Sequence, residues 1–326
     1  MAERASVFQT VQIGVESGYG TKVAADVKLP SIAFEMGPES EIQTYRGAGY
    51  KYPSVAALTK EWASASFSGP ITYNEIVYLL ASVLDYAAPS DKTGTTGEAT
   101  WTFTPDPDAA DAPKSYTIEQ GGAGRAHLVT GALVTGLTLT FNQDGAELGG
   151  DLIAKALDDG ITMTATPTEL DLVPVTRPQV LVTLDDTWAG LGTTELTRVL
   201  SVEWGITDRY GPVWVLNGEV DFEATVETVP TLEVKLLVEA DAQGMGLLTT
   251  MRANSTKFLR IEAIGPVISG IITHKLTIDT AVKVTDVERF SDEDGIYAIE
   301  WTMQGVLDPT TSKVTEVKVV NTVGSL

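Results

Sequence analysis

Leu137-Thr138-Leu139-Thr140-Phe141 is the stretch from which the fold is read. Successive residues of a strand point to opposite faces, so Leu137, Leu139 and Phe141 share one face and Thr138 and Thr140 the other. Just beyond it, Asp144-Gly145 offers a hairpin turn in which glycine supplies the positive φ. The same alternation recurs downstream, with Leu276, Ile278, Val282 and Val284 set against Lys275, Thr277, Asp279 and Lys283. Leu196, Leu200, Val202 and Trp204 form a third stripe. Helical spacing is scarce. Tyr73–Leu84 has Ile76, Leu79, Leu80 and Val83 at i, i+3, i+4, i+7, and a weaker candidate runs from Leu236 to about Arg252, interrupted by Gly244 and Gly246. The expected fold is mostly β, with one helix in each half.

The two halves also resemble each other. Trp62 is followed eight positions on by Pro70 and then a helix pattern; Phe222 is followed eight positions on by Pro230 and the second helix pattern. Phe141 leads into Asp144-Gly145 and later Ala156, Leu157 and Asp158. Phe290 leads into Asp294-Gly295 and, at the same distances, Val306, Leu307 and Asp308. Gly20-Thr21 and Gly192-Thr193 stand near the two starts. An offset of about 150–160 residues predicts a duplication, with one domain over 1–173 and a second over 174–326. Pro167, Pro174 and Pro178 mark the junction, and each half is expected to close on a strand, near Ile161–Val173 and Val314–Val319. Residues 87–113 break the symmetry. They are rich in Gly, Pro, Asp and Thr around a strand at Thr100–Thr104, and Pro89, Asp91, Lys92, Gly94 and Gly97 are candidates for contact with a neighbouring subunit.

Composition excludes several classes of function. The 326 residues hold 44 Asp+Glu against 22 Lys+Arg, a net charge of -22, with two His and no Cys. So negative a surface repels phosphates, which disfavours ordinary nucleic-acid binding and attachment to anionic membranes. Without Cys there are no disulfides, thiolate metal sites or thiol nucleophiles. The stretch Met1–Val7 lacks the pattern of an export signal, and no apolar run approaches the roughly 20 residues of a membrane span. His127 and His274 lie at the heads of alternating strands with no metal-binding partner motif. Gly18-Tyr19-Gly20-Thr21-Lys22 lacks the glycines of a phosphate loop, and Ser291–Gly295 lacks the first carboxylate of a calcium loop. No catalytic residue, cofactor or metal ligand is singled out, and an enzyme is not expected.

One acidic stretch stands out. In Gly218–Glu227, alternation sets Val220, Phe222, Ala224 and Val226 against Glu219, Asp221, Glu223, Thr225 and Glu227. Such a face is either simply solvated or lines something that must not be bound. Glu61 is the counterpart of Asp221 in the Trp62/Phe222 match, although Ala63, Ala65 and Phe67 occupy the remaining places.

Taken in order, Gly18–Ala25, Leu29-Pro30, Gly69–Leu80, Ala99–Pro105, Ser115–Glu119 and the Asp294-Gly295 hairpin make the chain resemble the major tail tube proteins of long, non-contractile (siphophage-type) bacteriophage tails. The resemblance implies two tandem β-sandwich or half-barrel domains, each with a flanking helix, and three chains per ring in place of six. It implies a virion protein assembled in the host cytoplasm, whose rings stack into a tube with an acidic lumen. The partners it implies are further copies of the chain, a tape-measure protein inside the tube, and tail terminator and distal tail proteins at its ends. Genomic DNA would pass without specific binding. Glu61, Glu219, Asp221, Glu223 and Glu227 are then the candidate lumen acids. The alternative in the same class is another ring-forming tail protein or a type VI secretion-like tube component; a surface adhesin or a two-carboxylate glycan hydrolase would belong to other classes.

Overall fold

The computed structural model describes residues 8–90, 97–122, 124–293 and 295–326. The first half holds β1 (Thr10–Val15), β2 (Val27–Leu29), β3 (Ala33–Tyr45), β4 (Val55–Pro70), α1 (Ile76–Val83), β5 (Ala99–Phe103), β6 (Tyr116–Gly122), β7 (Arg125–Phe141), β8 (Ala146–Ala154), β9 (Ala156–Asp159) and β10 (Thr168–Glu169). The second holds β11 (Val180–Asp185), β12 (Val199–Thr207), β13 (Tyr210–Val213), β14 (Ala224–Glu227), β15 (Thr231–Glu239), α2 (Ala242–Ala253), β16 (Lys257–Ser269), β17 (Ile272–Val287), β18 (Ser291–Glu293), β19 (Ile296–Gly305) and β20 (Thr315–Asn321). The fold is mostly β, as the alternating stripes predict.

Strand order is the same in both halves. In the first, antiparallel neighbours run β1-β6-β7-β8-β4-β3. In the second they run β11-β16-β17-β19-β15-β12. A shared irregularity fixes the residue correspondence. In β7·β8, Val134 faces Leu152 and the register then slips, so that Gly136 faces Asp151. In β17·β19, Val284 faces Met303 and the register slips in the same way, so that Asp286 faces Thr302. A bulge of this kind adds one residue to one strand and bends it, so a matching pair of bulges is a precise structural landmark. Leu152 faces Ala65 and Met303 faces Val234, so Ala65 and Val234 hold the same place, 234 − 65 = 169 residues apart.

That spacing corrects the sequence match. Trp62 corresponds to Thr231, and Glu61 to Pro230; Phe222 lies nine residues too early, in an excursion between β12 and β15. The reading of a helix from Leu236 is corrected as well. Leu232, Val234, Leu236 and Val238 are the buried phase of β15, and α2 starts only at Ala242. Within the expected strand at Ile161–Val173, only Thr168–Glu169 is strand, parallel to β2. The closing strand near Val314–Val319 is β20.

The helix α1 follows β4, and every one of its residues is buried. Thr72 and Glu75 bond to each other just ahead of it. The Glu75 N–H donates to Thr72 Oγ1 at 3.2 Å, and the Thr72 hydroxyl donates to Glu75 Oε2 at 2.7 Å, as the sequence Thr-x-x-Glu allows. It packs on β7 and β5, while α2 packs on β17. No described helix is long and apolar enough to cross a membrane.

The halves are stitched along β7·β12. Val202, Trp204 and Ile206 stand opposite Phe141, Leu139 and Leu137, and all six are at most 3% exposed. Burying a large apolar side chain contributes about 1.5–3 kcal/mol, so this seam is a substantial part of the common core. On the other side, β5 pairs with β20, which pairs with β17. The result is an eight-stranded run, β3-β4-β8-β7-β12-β15-β19-β17, to which each half contributes four strands.

Candidate functional site

The apolar side chains of this eight-stranded run fill the core, so the alternate residues must occupy its opposite face. The pairings define rows across that face. One row reads Glu147, Thr140, Glu203, Lys235, Thr302, Asp286; the next reads Gly149, Thr138, Gly205, Glu233, Gln304, Lys283. Near the β3 end, Glu35, Ser66 and Asp151 are cross-strand neighbours. Glu39 and Glu300 lie on the same face. The face is therefore built of Ser, Thr and Gly with acids at regular intervals, and among these rows Lys235 and Lys283 are the cations. Its β3–β12 part forms an open trough of about 820 Å³ that includes Glu35, Glu39, Ser66, Asp151 and Asp208.

The carboxylates around Lys235 interact. The Lys235 ammonium lies 3.2 Å from Glu203 and 3.6 Å from Glu233. Its hydrogen bond to Glu203, reinforced by that carboxylate's charge, holds its pKa above the ordinary lysine value. Partial burial pushes the Glu300 carboxyl above its ordinary value. The charge of Glu288 adds to the shift, and Glu203 and Glu233 contribute further, against the pull of Lys235. Burial and the neighbouring negative charge both disfavour the ionised form of Glu300. Acids outnumber lysines along these rows, so the face carries a net negative charge.

The sequence candidates are placed differently. Gly218–Glu227 is not one strand; only Ala224–Glu227 is, and Val226 is 52% exposed. The four acids do not form one face. Asp221 lies 3.4 Å from Lys155, and Glu227 is held 2.8 Å from the buried Arg209. Glu223 accepts from Asn217 Nδ2 at 2.9 Å, and Glu219 is exposed, its N–H donating to Asn217 Oδ1. The alternation was misleading because Phe222 is buried for a local reason. Its ring meets Trp214 at 5.7 Å, and Trp214 meets Trp62 at 5.7 Å. The pair matched as counterparts in sequence thus both pack against Trp214, and the Glu61 N–H donates to Val220 O at 2.8 Å. Glu61 itself is in phase with the buried Ala63, Ala65 and Phe67, so it faces away from the acid rows.

The insertion is equally divided. Asp91, Lys92 and Gly94 lie outside the described residues; Pro89 and Gly97 flank them, Gly97 with φ 72°. The rest of it is bound within the chain. β5 is paired with β20, and Asp111 forms a buried ion pair with Arg209 while its N–H donates to Glu227 Oε2 at 3.1 Å. Arg209 also donates from Nε to Val83 O at 2.7 Å, at the end of α1. This arginine, unremarked in the sequence, ties the excursion of the second half to the first.

Among the described residues, no group of three His, Asp or Glu is arranged to hold a metal ion. Burial lowers the pKa of both His127 and His274; Arg125 adds to this at His127, while Asp171 opposes it at His274. Compared with known families and curated proteins, the chain matches no family model and no curated sequence.

Proposed function

We propose that the chain is the major tube subunit of a long, non-contractile phage tail, with two tandem copies of one domain per chain. The observation that carries this reading is the eight-stranded run, made of two four-strand sets in the same order and acid-lined on its non-core face. Three chains of eight strands each would close a 24-strand barrel. With strands about 4.8 Å apart and tilted about 40°, its backbone radius is roughly 24 Å, which leaves an aqueous bore.

The acids give that bore its chemistry. Three chains carry 3 × (-22) = -66 charges per ring. A duplex binds proteins chiefly by exchanging counterions for Lys and Arg, and these rows supply few of them. The genome would slide past the wall, after the tape-measure protein that templated the tube. The lumen acids under this reading are Glu35, Glu39, Glu147, Asp151, Glu203, Glu233, Asp286 and Glu300 in place of the Gly218–Glu227 stretch. Electron microscopy of the purified chain tests the reading: stacked hollow rings of three chains support it. A chain that stays monomeric at all concentrations, or particles without a central bore, would overturn it.

A further inference from the structure

The run of eight strands ends in two open edges, and the seam inside the chain shows what each edge lacks. At one end is β3, whose pairing among the described residues is with β4 alone. At the other is the C-terminal end of β17. There Val284, Asp286 and Val287 pair with β19, while β16 on the opposite side reaches no further than Val282.

The correspondence identifies these edges as the two sides of the β7·β12 seam. Met36 faces Ala65 and Trp204 faces Val234, so β3 holds in the first half the place of β12 in the second. Val134 and Val284 share the bulge position, so the end of β17 holds the place of the end of β7. Inside the chain, β12 covers β7. Among the described residues, no strand pairs with the outer side of the end of β17 or with the outer side of β3.

The side chains record the difference. Leu137, three residues past the bulge position, is fully buried beneath β12, whereas Val287, which holds the same place on β17, is only half-buried. A glycine stands at the same place on both edge strands. A Cβ on Gly205 would meet Thr138 Oγ1 at 3.4 Å across the seam; a Cβ on Gly37 would meet nothing within 4 Å. The hairpin tips differ in the same sense. The excursion between β12 and β15 is folded onto the first half, with Arg209 and Phe222 buried. The β3–β4 tip instead projects Ile42, Tyr45, Tyr50, Tyr52 and Val55, each at least half exposed.

We infer that a second copy of this chain adds its β3 antiparallel to the end of β17, in the register of the internal seam. Thr138 faces Gly205, so Glu288 of one chain faces Gly37 of the next. The exposed β3–β4 tip then folds over the neighbour's second half, as the excursion between β12 and β15 folds over the first half here. Each chain offers one edge of each kind, so the contact is head-to-tail and closes into a ring when the rotation permits. The inference rests on the proposed tube and specifies its joint.

The chain has no cysteine, so a paired Gly37→Cys/Glu288→Cys variant reports this register alone. The two positions stand at opposite edges of the eight strands, seven inter-strand steps of about 4.8 Å apart, so no disulfide forms within a chain. A bridge requires Cα atoms within about 7 Å. Oxidation of the assembled variant is expected to convert most of the protein into covalent trimers on a non-reducing gel. Gly37→Cys/Lys283→Cys, displaced by about 13 Å along the strand, should give no more than background. Hollow rings without the Gly37–Glu288 bridge would overturn the joint and leave the tube standing. Equal bridging by both variants would overturn the register, and a variant and parent that never associate would overturn joint and tube together.

Discussion

Replacing Arg209 with methionine tests whether the second half is locked onto the first by a buried charge cluster. The side chains of Arg209 and Asp111 are 2% and 0% exposed. The guanidinium serves Val83 O at 2.7 Å, Glu227 Oε1 at 2.8 Å and Asp111, and lies over the Tyr210 ring at 5.1 Å. Methionine fills much of the volume but leaves the Asp111 carboxylate without its counter-ion. Breaking a buried pair in this way costs about 3–5 kcal/mol, against roughly 5–15 kcal/mol for a whole domain. Urea unfolding followed by tryptophan fluorescence reads the loss, since Trp214 lies in the excursion and packs against Trp62. Adding Asp111→Asn removes the orphaned charge and should recover about 0.5–3 kcal/mol as coupling. The pH dependence has a definite sign. Burial raises the Asp111 carboxyl above its ordinary value, opposed by Arg209. Without Arg209 it rises further, so the folded variant holds its proton more tightly than the unfolded chain does. The deficit of Arg209→Met should be smallest below about pH 4 and grow as pH rises through the folded-state pKa. A loss under about 1 kcal/mol, or one as large at low pH as at neutrality, would refute the reasoning.

Three further outcomes are expected. Gly150→Ala places a Cβ 2.2 Å from Gly136 O and 2.6 Å from the Phe67 ring, so calorimetry should show a destabilisation of about 1–3 kcal/mol; an unchanged melting temperature would contradict this packing. Glu300→Gln removes a carboxyl whose pKa is raised in the folded state, so it should stabilise the chain at neutral pH and lose that benefit below about pH 4, as read from urea midpoints at the two pH values. Glu147→Lys/Asp151→Lys should leave assembly intact and give particles that retain duplex DNA in low salt and release it as salt rises; particles indifferent to DNA would remove these two acids from the bore.

Much of the fold was legible because burial on one face writes a period of two into the sequence. Leu137–Phe141, Val202–Trp204 and Leu276–Val284 all lie in strands, and Ile76–Val83 is a helix. The misreadings have physical causes. Leu236-Leu237 looks helical because a leucine run carries no period of its own; its neighbours Val234 and Val238 decide for a strand. Gly218–Glu227 alternates, but the burial of Phe222 comes from Trp214 on the same excursion and not from a sheet face. Bulges defeat a fixed offset, because each adds a residue that no local pattern announces. The acid rows were present in the sequence in a weaker form. Glu147, Glu203, Glu233 and Glu300 each sit singly between two buried residues, Glu203 for example between Val202 and Trp204. A search for dense acidic stretches passes over them, since their neighbours are assembled only by pairing across strands.

The internal seam has a bearing on how cheaply a ring can form. Bringing two free bodies together forfeits an estimated 4–15 kcal/mol of translational and rotational freedom before any contact is rewarded. When β7 meets β12, both belong to one polypeptide, and folding has already imposed that loss. In the proposed ring, three such chains would need two associations from solution, the last joint closing within the complex, whereas six separate pieces would need five. Under the proposed function, joining the two halves in one polypeptide would therefore lower the concentration at which closure is favoured.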